Sequence, residues 1–138
     1  MIQGISHITL LVTDVKKTAA MLQQVLDAQM VYDSERKAFS LSREIFLTIG
    51  GVWIAIMEGE GPERKSYHHL AFSVAEQDFP MYAARIAEAG LEIRPGRPRV
   101  DGEGESLYFY DYDNHLLELH TGTLEDRLSA YQKVPSRG

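Results

Sequence analysis

The sequence predicts an α+β fold in which one βαβββ unit occurs twice within a single domain of 138 residues. Three observations predict this fold. Each half of the chain opens with a strand-like run of alternating side chains, an amphipathic helical stretch follows each run, and short β-rich segments complete each half. A chain of this length buries roughly two-thirds of its unfolded surface, so we expect one core that needs no disulfide or structural metal.

The first predicted unit covers residues 1 to about 60. Residues 4–12 alternate as in a strand, and Thr13-Asp14 then opens a helical stretch. This helix carries its apolar side chains on one face, at Val15, Ala19, Leu22 and Leu26. Short β-rich runs predict further strands over residues 29–32, 38–41, 46–49 and 52–57.

The second predicted unit runs from about residue 65 to residue 122 and repeats this order. A strand over residues 66–74 leads into a helix from about 77 to 89, and an appended amphipathic helix over about 123–133 follows the unit. Overlaying the two halves brings His69 onto His7. The remaining strands of this unit are predicted over residues 91–94, 106–110 and 116–120.

Composition narrows the possible functions. The 14 basic and 20 acidic residues leave a net charge of −6, which argues against nucleic acid or an anionic membrane as the partner. The chain contains no cysteine, and this excludes disulfides, thiolate zinc sites, iron–sulfur clusters and a cysteine nucleophile. Because the N-terminal residues lack a signal-peptide pattern and no apolar run is long enough to span a membrane, a cytoplasmic protein is expected.

Strand alternation predicts a metal site. His7, His69 and Glu118 each fall on the less apolar face of a separate strand, at positions related by the repeat. Two imidazoles and one carboxylate would form an open site suited to manganese, iron, nickel or zinc. His115 and His120 are nearby competitors, and Glu118 has an alternative role as the ion-pair partner of an arginine. His68 should point away from His69.

These residues lie in motifs that resemble the vicinal oxygen chelate superfamily, which includes glyoxalase I and the fosfomycin-resistance proteins. Gly-Ile-Ser-His-Ile-Thr at 4–9, Trp-Ile-Ala-Ile-Met-Glu-Gly at 53–59 and Arg-Pro-Arg-Val-Asp-Gly-Glu-Gly at 97–104 resemble the FosX-type branch most closely. The segment from Tyr108 to His120 completes the match. The resemblance implies a vicinal oxygen chelate fold with curved mixed sheets. It also implies a homodimer whose repeats pair, so that the two histidines come from different subunits.

The resemblance further implies an activity. FosX-type proteins are manganese-dependent hydrolases that open the epoxide of fosfomycin with water, and Glu44 matches their general base. An epoxide oxygen leaves poorly until a Lewis acid coordinates it, and water attacks poorly until a base engages it. Without the family pattern, Glu44 would be read as a solvated carboxylate on a hairpin.

Substrate contacts are implied in the same way. Thr9, Arg99, Tyr108 and Arg127 match positions that bind fosfomycin or its phosphonate group in the wider family, although loop gaps make Arg99 the least direct match. Planar guanidinium groups suit phosphonate oxygens. The neighbouring Arg94 and Arg97 are expected to be solvated. Three aromatic residues are expected first of all in the core, with a place in the pocket wall as the alternative for some of them: Phe46, Trp53 and Tyr67.

Three alternatives stay open, one of which is a different vicinal oxygen chelate enzyme, such as a glyoxalase or a hydrolase for another phosphonate. A thiol transferase of the same family would join glutathione or bacillithiol to fosfomycin, and a non-catalytic relative would sequester the drug. The chain also departs from the FosX-type pattern at His68, where those proteins have Asn, and at Glu105, where they have Arg. Neither departure touches the expected ligands or the expected base.

Overall fold

The computed structural model describes residues 1–37 and 39–135 of the chain. Ala38, the first residue of the strand predicted over 38–41, and residues 136–138 lie outside the described residues. The described elements follow in this order: β1 His7–Val12, α1 Val15–Leu26, β2 Gln29–Asp33, β3 Glu44–Ile49, β4 Val52–Glu58, β5 His69–Ser73, α2 Phe79–Glu88, β6 Ile93–Arg94, β7 Ser106–Tyr110, β8 Leu116–His120 and α3 Leu124–Gln132.

The strands form two four-stranded mixed sheets, one from each half of the chain. The first sheet has the order β1-β4-β3-β2 and the second the order β5-β8-β7-β6. In each sheet the first strand pairs parallel with the last strand of its half, and the other pairs are antiparallel. The α+β class predicted from the sequence is therefore confirmed, and the two sheets repeat one topology.

Helix α1 forms where the sequence predicts it. The side chain of Asp14 accepts a hydrogen bond from the backbone N–H of Lys17 at 3.0 Å and so satisfies one of the free donors at the helix start. The helix buries Ala19 and Leu22 almost completely. Its apolar face thereby packs on the first sheet, which also fixes that sheet's buried face.

The strand faces separate as the alternation predicts. In β1, Val12 is fully buried while His7, Thr9 and Leu11 are exposed. In β5, Leu70 and Phe72 pack against the core while the side chain of His69 stays on the open face. Each sheet thus has one face in the core and one open face that carries polar side chains.

The strand predicted over residues 38–41 is wrong within its described part, because residues 39–41 form bends. The cause lies in the neighbouring strands. β2 pairs directly with β3, and Ser34 closes the pairing: its N–H donates to the carbonyl of Glu44, and its hydroxyl accepts from the N–H of Glu44, both at 3.0 Å. The described residues between them, 35–37 and 39–43, therefore form a connecting loop.

The other boundaries shift without changing the topology. The strand predicted over residues 66–74 shortens to His69–Ser73, and the one predicted over 91–94 shortens to Ile93–Arg94. A turn of 3-10 helix at Glu76–Asp78 precedes α2. Among the described residues, no helix combines the length and the apolar character that crossing a membrane requires. The cytoplasmic location stays a prediction.

Candidate functional site

His69 and Glu118 lie side by side on the open face of the second sheet. They come from the parallel neighbours β5 and β8, and the Nε2 atom of His69 lies 3.0 Å from Oε1 of Glu118. Glu118 is only 3% exposed. The sheet register thus brings together two of the three predicted metal ligands.

The orientation of His69 fits a metal ligand. Its Nδ1 atom lies 2.6 Å from the carbonyl oxygen of Tyr67, and since a carbonyl only accepts, Nδ1 must donate. In the neutral ring, Nε2 then presents its lone pair toward the carboxylate of Glu118. Two electron-rich atoms that face each other at close range need a proton or a cation between them, and this donor set suits a divalent transition metal.

His7 lies on the other sheet, at the start of β1. Its Nδ1 atom is 3.0 Å from the hydroxyl of Ser6, and its ring stacks on Trp53 with 4.2 Å between centroids. Across residues 1–37 and 39–135, no three His, Asp or Glu side chains of one chain converge to hold a metal ion. Within this chain, the His69–Glu118 pair therefore lies apart from His7.

The aromatic neighbours of these histidines correct one expectation. Trp53 and Tyr67 were expected first in the core, but they are 36% and 45% exposed. Tyr67 packs edge-on against His69 with 4.8 Å between ring centroids, whereas the rings of Trp53 and His7 lie at 31° to each other. Each histidine on an open face thus has an aromatic residue that restricts its ring.

The competing histidines have other partners. Nδ1 of His115 lies 2.7 Å from a carboxylate oxygen of Asp111. Nδ1 of His120 lies 2.6 Å from the hydroxyl of Ser106, which donates in turn to Oε2 of Glu118 at 2.6 Å. Burial lowers the pKa of His120. His120 thus reaches Glu118 through Ser106 and supports the side chain of Glu118.

Glu44 begins β3 and is buried, with 8% exposure. It is therefore not the solvated carboxylate that was the alternative. In the sheet register Glu44 lies opposite Met57, which lies opposite Leu11, so Glu44 shares the open face of the first sheet with His7 and Thr9. Within one chain it belongs to the sheet that lacks the His69–Glu118 pair.

Arg99 and Tyr108 lie beside that pair. One guanidinium nitrogen of Arg99 donates to the hydroxyl of Tyr108 at 2.8 Å and lies 3.6 Å from Oε2 of Glu118. The ring of Tyr108 packs edge-on against His69 with 5.5 Å between centroids. Burial, with smaller contributions from a hydrogen bond to Tyr67 and from Glu118, raises the pKa of Tyr108 to about 12, so its hydroxyl keeps its proton.

Arg94 and Arg97 were expected to be solvated, but both are half-buried and bound to other side chains. Arg94 donates to the hydroxyl of Tyr110 at 3.0 Å and lies over the ring of Tyr67. Arg97 forms an ion pair with Glu103, a carboxylate that is fully buried. Arg97 still keeps 34% of its side chain exposed, so the ion pair engages the arginine without removing it from solvent.

Glu103 is the residue that sequence reasoning missed. It contacts Arg97, Arg99 and Arg127, of which Arg127 also lies 3.5 Å from Nε2 of His120. The sequence did offer a signal: Arg94, Arg97 and Arg99 lie within six positions of a net-acidic chain. A glutamate between two glycines follows them closely. Arg99 and Arg127, two of the predicted phosphonate contacts, therefore meet at one buried carboxylate.

Two mixed sheets from repeated βαβββ units, with a histidine–carboxylate pair on an open face, define a protein of the vicinal oxygen chelate class. A sequence profile of the Glyoxalase/Bleomycin resistance protein/Dioxygenase superfamily matches residues 4–119. The chain belongs to this superfamily and, within it, to the family of FosX fosfomycin resistance proteins.

Individual relatives support this membership. The fosfomycin resistance protein FosX of Listeria innocua is 53% identical over 96% of this chain and 100% of its own length. A crystal structure of a FosX point mutant from Listeria monocytogenes, in complex with Mn(II) and 1S,2S-dihydroxypropylphosphonic acid, superposes with a TM-score of 0.87. It is 53% identical and covers 94% of this chain and 99% of its own. The metallothiol transferase FosB of Shouchella clausii is 40% identical over 97% of this chain and 90% of its own.

Proposed function

We propose that the protein is a Mn(II)-dependent hydrolase that adds water to C1 of the epoxide of fosfomycin and gives the vicinal diol phosphonate. One observation carries the proposal. The Listeria monocytogenes relative, 53% identical, binds Mn(II) together with a dihydroxypropylphosphonic acid. That compound equals the epoxypropylphosphonate fosfomycin plus one water molecule, which is the product of hydrolysis and not of thiol transfer. The activity would confer fosfomycin resistance.

The metal would be held by His69 and Glu118 of one protomer and by His7 of a second protomer. The 3.0 Å approach of Nε2 of His69 to Oε1 of Glu118 and the hydrogen bond from Nδ1 of His69 to Tyr67 support this assignment. Bound Mn(II) would supply a Lewis acid that stabilises the negative charge developing on the epoxide oxygen. This ligand set includes no cysteine thiolate, which suits a chain without cysteine.

Glu44 is the proposed general base. It accepts a proton from water while the water oxygen bonds to C1 and the bond between C1 and the epoxide oxygen breaks. The epoxide oxygen then takes up a proton from solvent and Glu44 releases its proton to solvent, so the sum of the steps is the addition of one water. The burial of Glu44 supports this role, because bulk water does not solvate a buried carboxylate, which is therefore free to accept a proton from the reacting water.

The phosphonate is the proposed ligand of Arg99, Tyr108 and Arg127, with Thr9 contributing its hydroxyl from the first sheet. Arg99 and Tyr108 already contact each other beside Glu118, so a phosphonate bound there would lie near the metal ligands. With its pKa raised to about 12, Tyr108 stays a hydrogen-bond donor at neutral pH. Local positive charge would thus bind an anion despite the net charge of −6.

A homodimer is part of the proposal, because each chain carries His7 on one sheet and the His69–Glu118 pair on the other. Both sheets have an open face, and the open face of β1 exposes Leu11 as well as His7. Apposing the first sheet of one protomer with the second sheet of its partner would complete the ligand set. The same apposition would bring Glu44 toward the substrate of the partner's pair.

Phosphorus NMR of fosfomycin with purified protein and Mn(II), in the absence of thiol, tests the function. We expect the fosfomycin signal to be replaced by that of dihydroxypropylphosphonate, with many turnovers per protein. A chelator should stop the reaction, and added Mn(II) should restore it.

Two other outcomes separate the alternatives. A thiol transferase, as the 40% identical FosB relative is named, would consume fosfomycin only with glutathione or bacillithiol and would form an adduct. A sequestering protein would bind fosfomycin stoichiometrically without converting it. Either result would overturn the proposal that the protein is a hydrolase.

A further inference from the structure

We propose that Glu103 is a positioning residue that holds Arg97, Arg99 and Arg127 in the arrangement that binds the phosphonate group. Glu103 touches neither the metal ligands nor the expected base, so it acts on the substrate only through the arginines. The inference rests on the proposed function, because it assigns to the same site the group that organises its cationic side.

Four separate side chains contact one carboxylate oxygen of Glu103. Its Oε1 atom forms an ion pair with Arg97, accepts from Nη1 of Arg99 at 3.1 Å and lies 3.5 Å from Nε of Arg127. The same oxygen accepts from the hydroxyl of Tyr131 on α3 at 2.9 Å. One buried oxygen therefore joins the loop before β7 to the C-terminal helix.

The second oxygen fixes the carboxylate itself. Oε2 accepts from the backbone N–H of Val100 at 3.1 Å, and the side chain of Glu103 is fully buried. The hydrogen bond from Arg97 is the main cause that lowers the pKa of Glu103 to about 2. The carboxylate therefore stays negative throughout the neutral range, and its position is set by the backbone.

Arg99 links Glu103 to the open face of the second sheet, where Glu118 lies. Its Nη1 atom is bound to Glu103, while Nη2 donates to Tyr108 at 2.8 Å and lies 3.6 Å from Glu118. A guanidinium group is planar, so fixing one nitrogen fixes the direction of the other. Without Glu103, three like charges would repel one another and rotate apart.

Charge and position predict opposite effects of the isosteric change Glu103→Gln. The change makes the protein more positive by one charge, so a residue that only neutralised the arginines would, when removed, tighten anion binding. A residue that holds them in place would, when removed, weaken it. Anion affinity therefore distinguishes positioning from simple neutralisation.

The experiment measures inorganic phosphate binding to the Mn(II)-loaded protein by calorimetry, together with KM and kcat for fosfomycin. For Glu103→Gln we expect the Kd for phosphate and the KM for fosfomycin to rise about 10-fold or more, since hydrogen bonds between charged groups contribute that much. We expect kcat and the Kd for Mn(II) to change less than about 3-fold, since Glu103 contacts no reacting atom. An unchanged or tighter Kd for phosphate, or wild-type protein that binds no phosphate, would overturn the proposal.

The phosphate-binding measurement tests the role of Glu103 separately from the proposed hydrolase activity. If wild-type protein binds phosphate but leaves fosfomycin intact, the proposed function fails while Glu103 is still tested by phosphate. Asp101→Asn is the matched control, because it makes the same charge change at an exposed position of the same loop. Its Kd for phosphate should equal that of wild type.

A milder variant covers the case in which Glu103→Gln does not fold. Tyr131→Phe removes the hydroxyl that donates to Glu103 at 2.9 Å and accepts from Arg97 at 3.3 Å, without changing charge. We expect a roughly 2- to 5-fold rise in the Kd for phosphate, as for the loss of one hydrogen bond to a charged group. No change in this variant, with Glu103→Gln unfolded, would also overturn the proposal.

Discussion

The Nε2 atom of His69 lies 3.0 Å from Oε1 of Glu118, across two parallel strands of the second sheet. The other oxygen of Glu118 accepts from the hydroxyl of Ser106 at 2.6 Å, and Ser106 in turn accepts from His120. Both oxygens of the carboxylate are thus engaged, one by the expected fellow ligand and one by a fixed hydroxyl. The geometry orients Glu118 before any metal binds.

Ser106→Ala tests this orientation. We expect it to weaken Mn(II) binding by roughly 10- to 100-fold, because hydrogen bonds that orient metal ligands contribute that much to affinity. Calorimetric titration of metal-free protein with Mn(II) gives the Kd. Ser129→Ala, which removes a hydroxyl from an exposed position of α3, is the control and should bind Mn(II) as wild type does. Equal affinities of the two variants would rule out an orienting role for Ser106.

Glu44→Gln separates proton transfer from metal binding. We expect kcat for fosfomycin to fall about 10²- to 10⁴-fold, the usual contribution of a general base, while the Kd for Mn(II) stays unchanged. Glu58→Gln makes the same change at an exposed residue at the end of the neighbouring strand and should leave kcat unaltered. If Glu44→Gln turned over fosfomycin at the wild-type rate, another group would have to be the base.

Sequence-based prediction succeeds for the residues whose position in the site depends on strand alternation. His69 and Glu118 were assigned to one face by a period of two, and neighbouring parallel strands bring residues on that face together. The offset between His7 and His69 was also readable, since a repeated unit repeats its register. Local rules were sufficient for these positions because a regular sheet converts sequence position directly into direction.

Sequence-based prediction fails for contacts between side chains that come from different loops and elements. Glu103 lies in a Gly-Glu-Gly stretch, and nothing local indicates that Arg127, from another element, comes within 3.5 Å of it. Residues 39–41 have the composition of a strand but lack a partner, because Ser34 already closes β2 onto β3. Both errors arise from non-local pairing, which composition and period do not encode.

The stability of the protein should depend on pH through Glu103. Its pKa of about 2 in the folded protein is below the ordinary value of 4.5, chiefly because Arg97 donates to it. The carboxylate therefore stabilises the fold fully above about pH 5, and this contribution is lost as pH falls toward 2. We expect the difference in Tm between wild type and Glu103→Gln to be large at pH 7 and to shrink below pH 5. A constant difference would contradict an ionised Glu103.

Gly122 allows the loop that carries Glu103 to approach β8 closely. A Cβ atom at position 122 would lie 2.9 Å from Nε2 of His120 and would collide with the backbone oxygen of Glu103. We expect Gly122→Ala to lower the free energy of unfolding by about 1 to 3 kcal/mol, as overpacking does. Gly96→Ala is the control, because its nearest neighbour outside the adjacent residues is a ring carbon of Tyr108 at 4.0 Å. Urea denaturation compares the two, and equal stabilities would show that the loop yields.

Complementation between inactive variants tests whether two chains share each site. His7→Ala and His69→Ala each remove one proposed ligand, so each variant alone should be inactive. In a symmetric dimer with shared sites, a heterodimer of the two has one site with both changes and one site with neither. We expect such heterodimers, purified through two different affinity tags, to recover about half of the wild-type activity, because one of two equivalent sites is intact. If each chain built its own site, every site would still lack one ligand, and the heterodimer would stay as inactive as its parents.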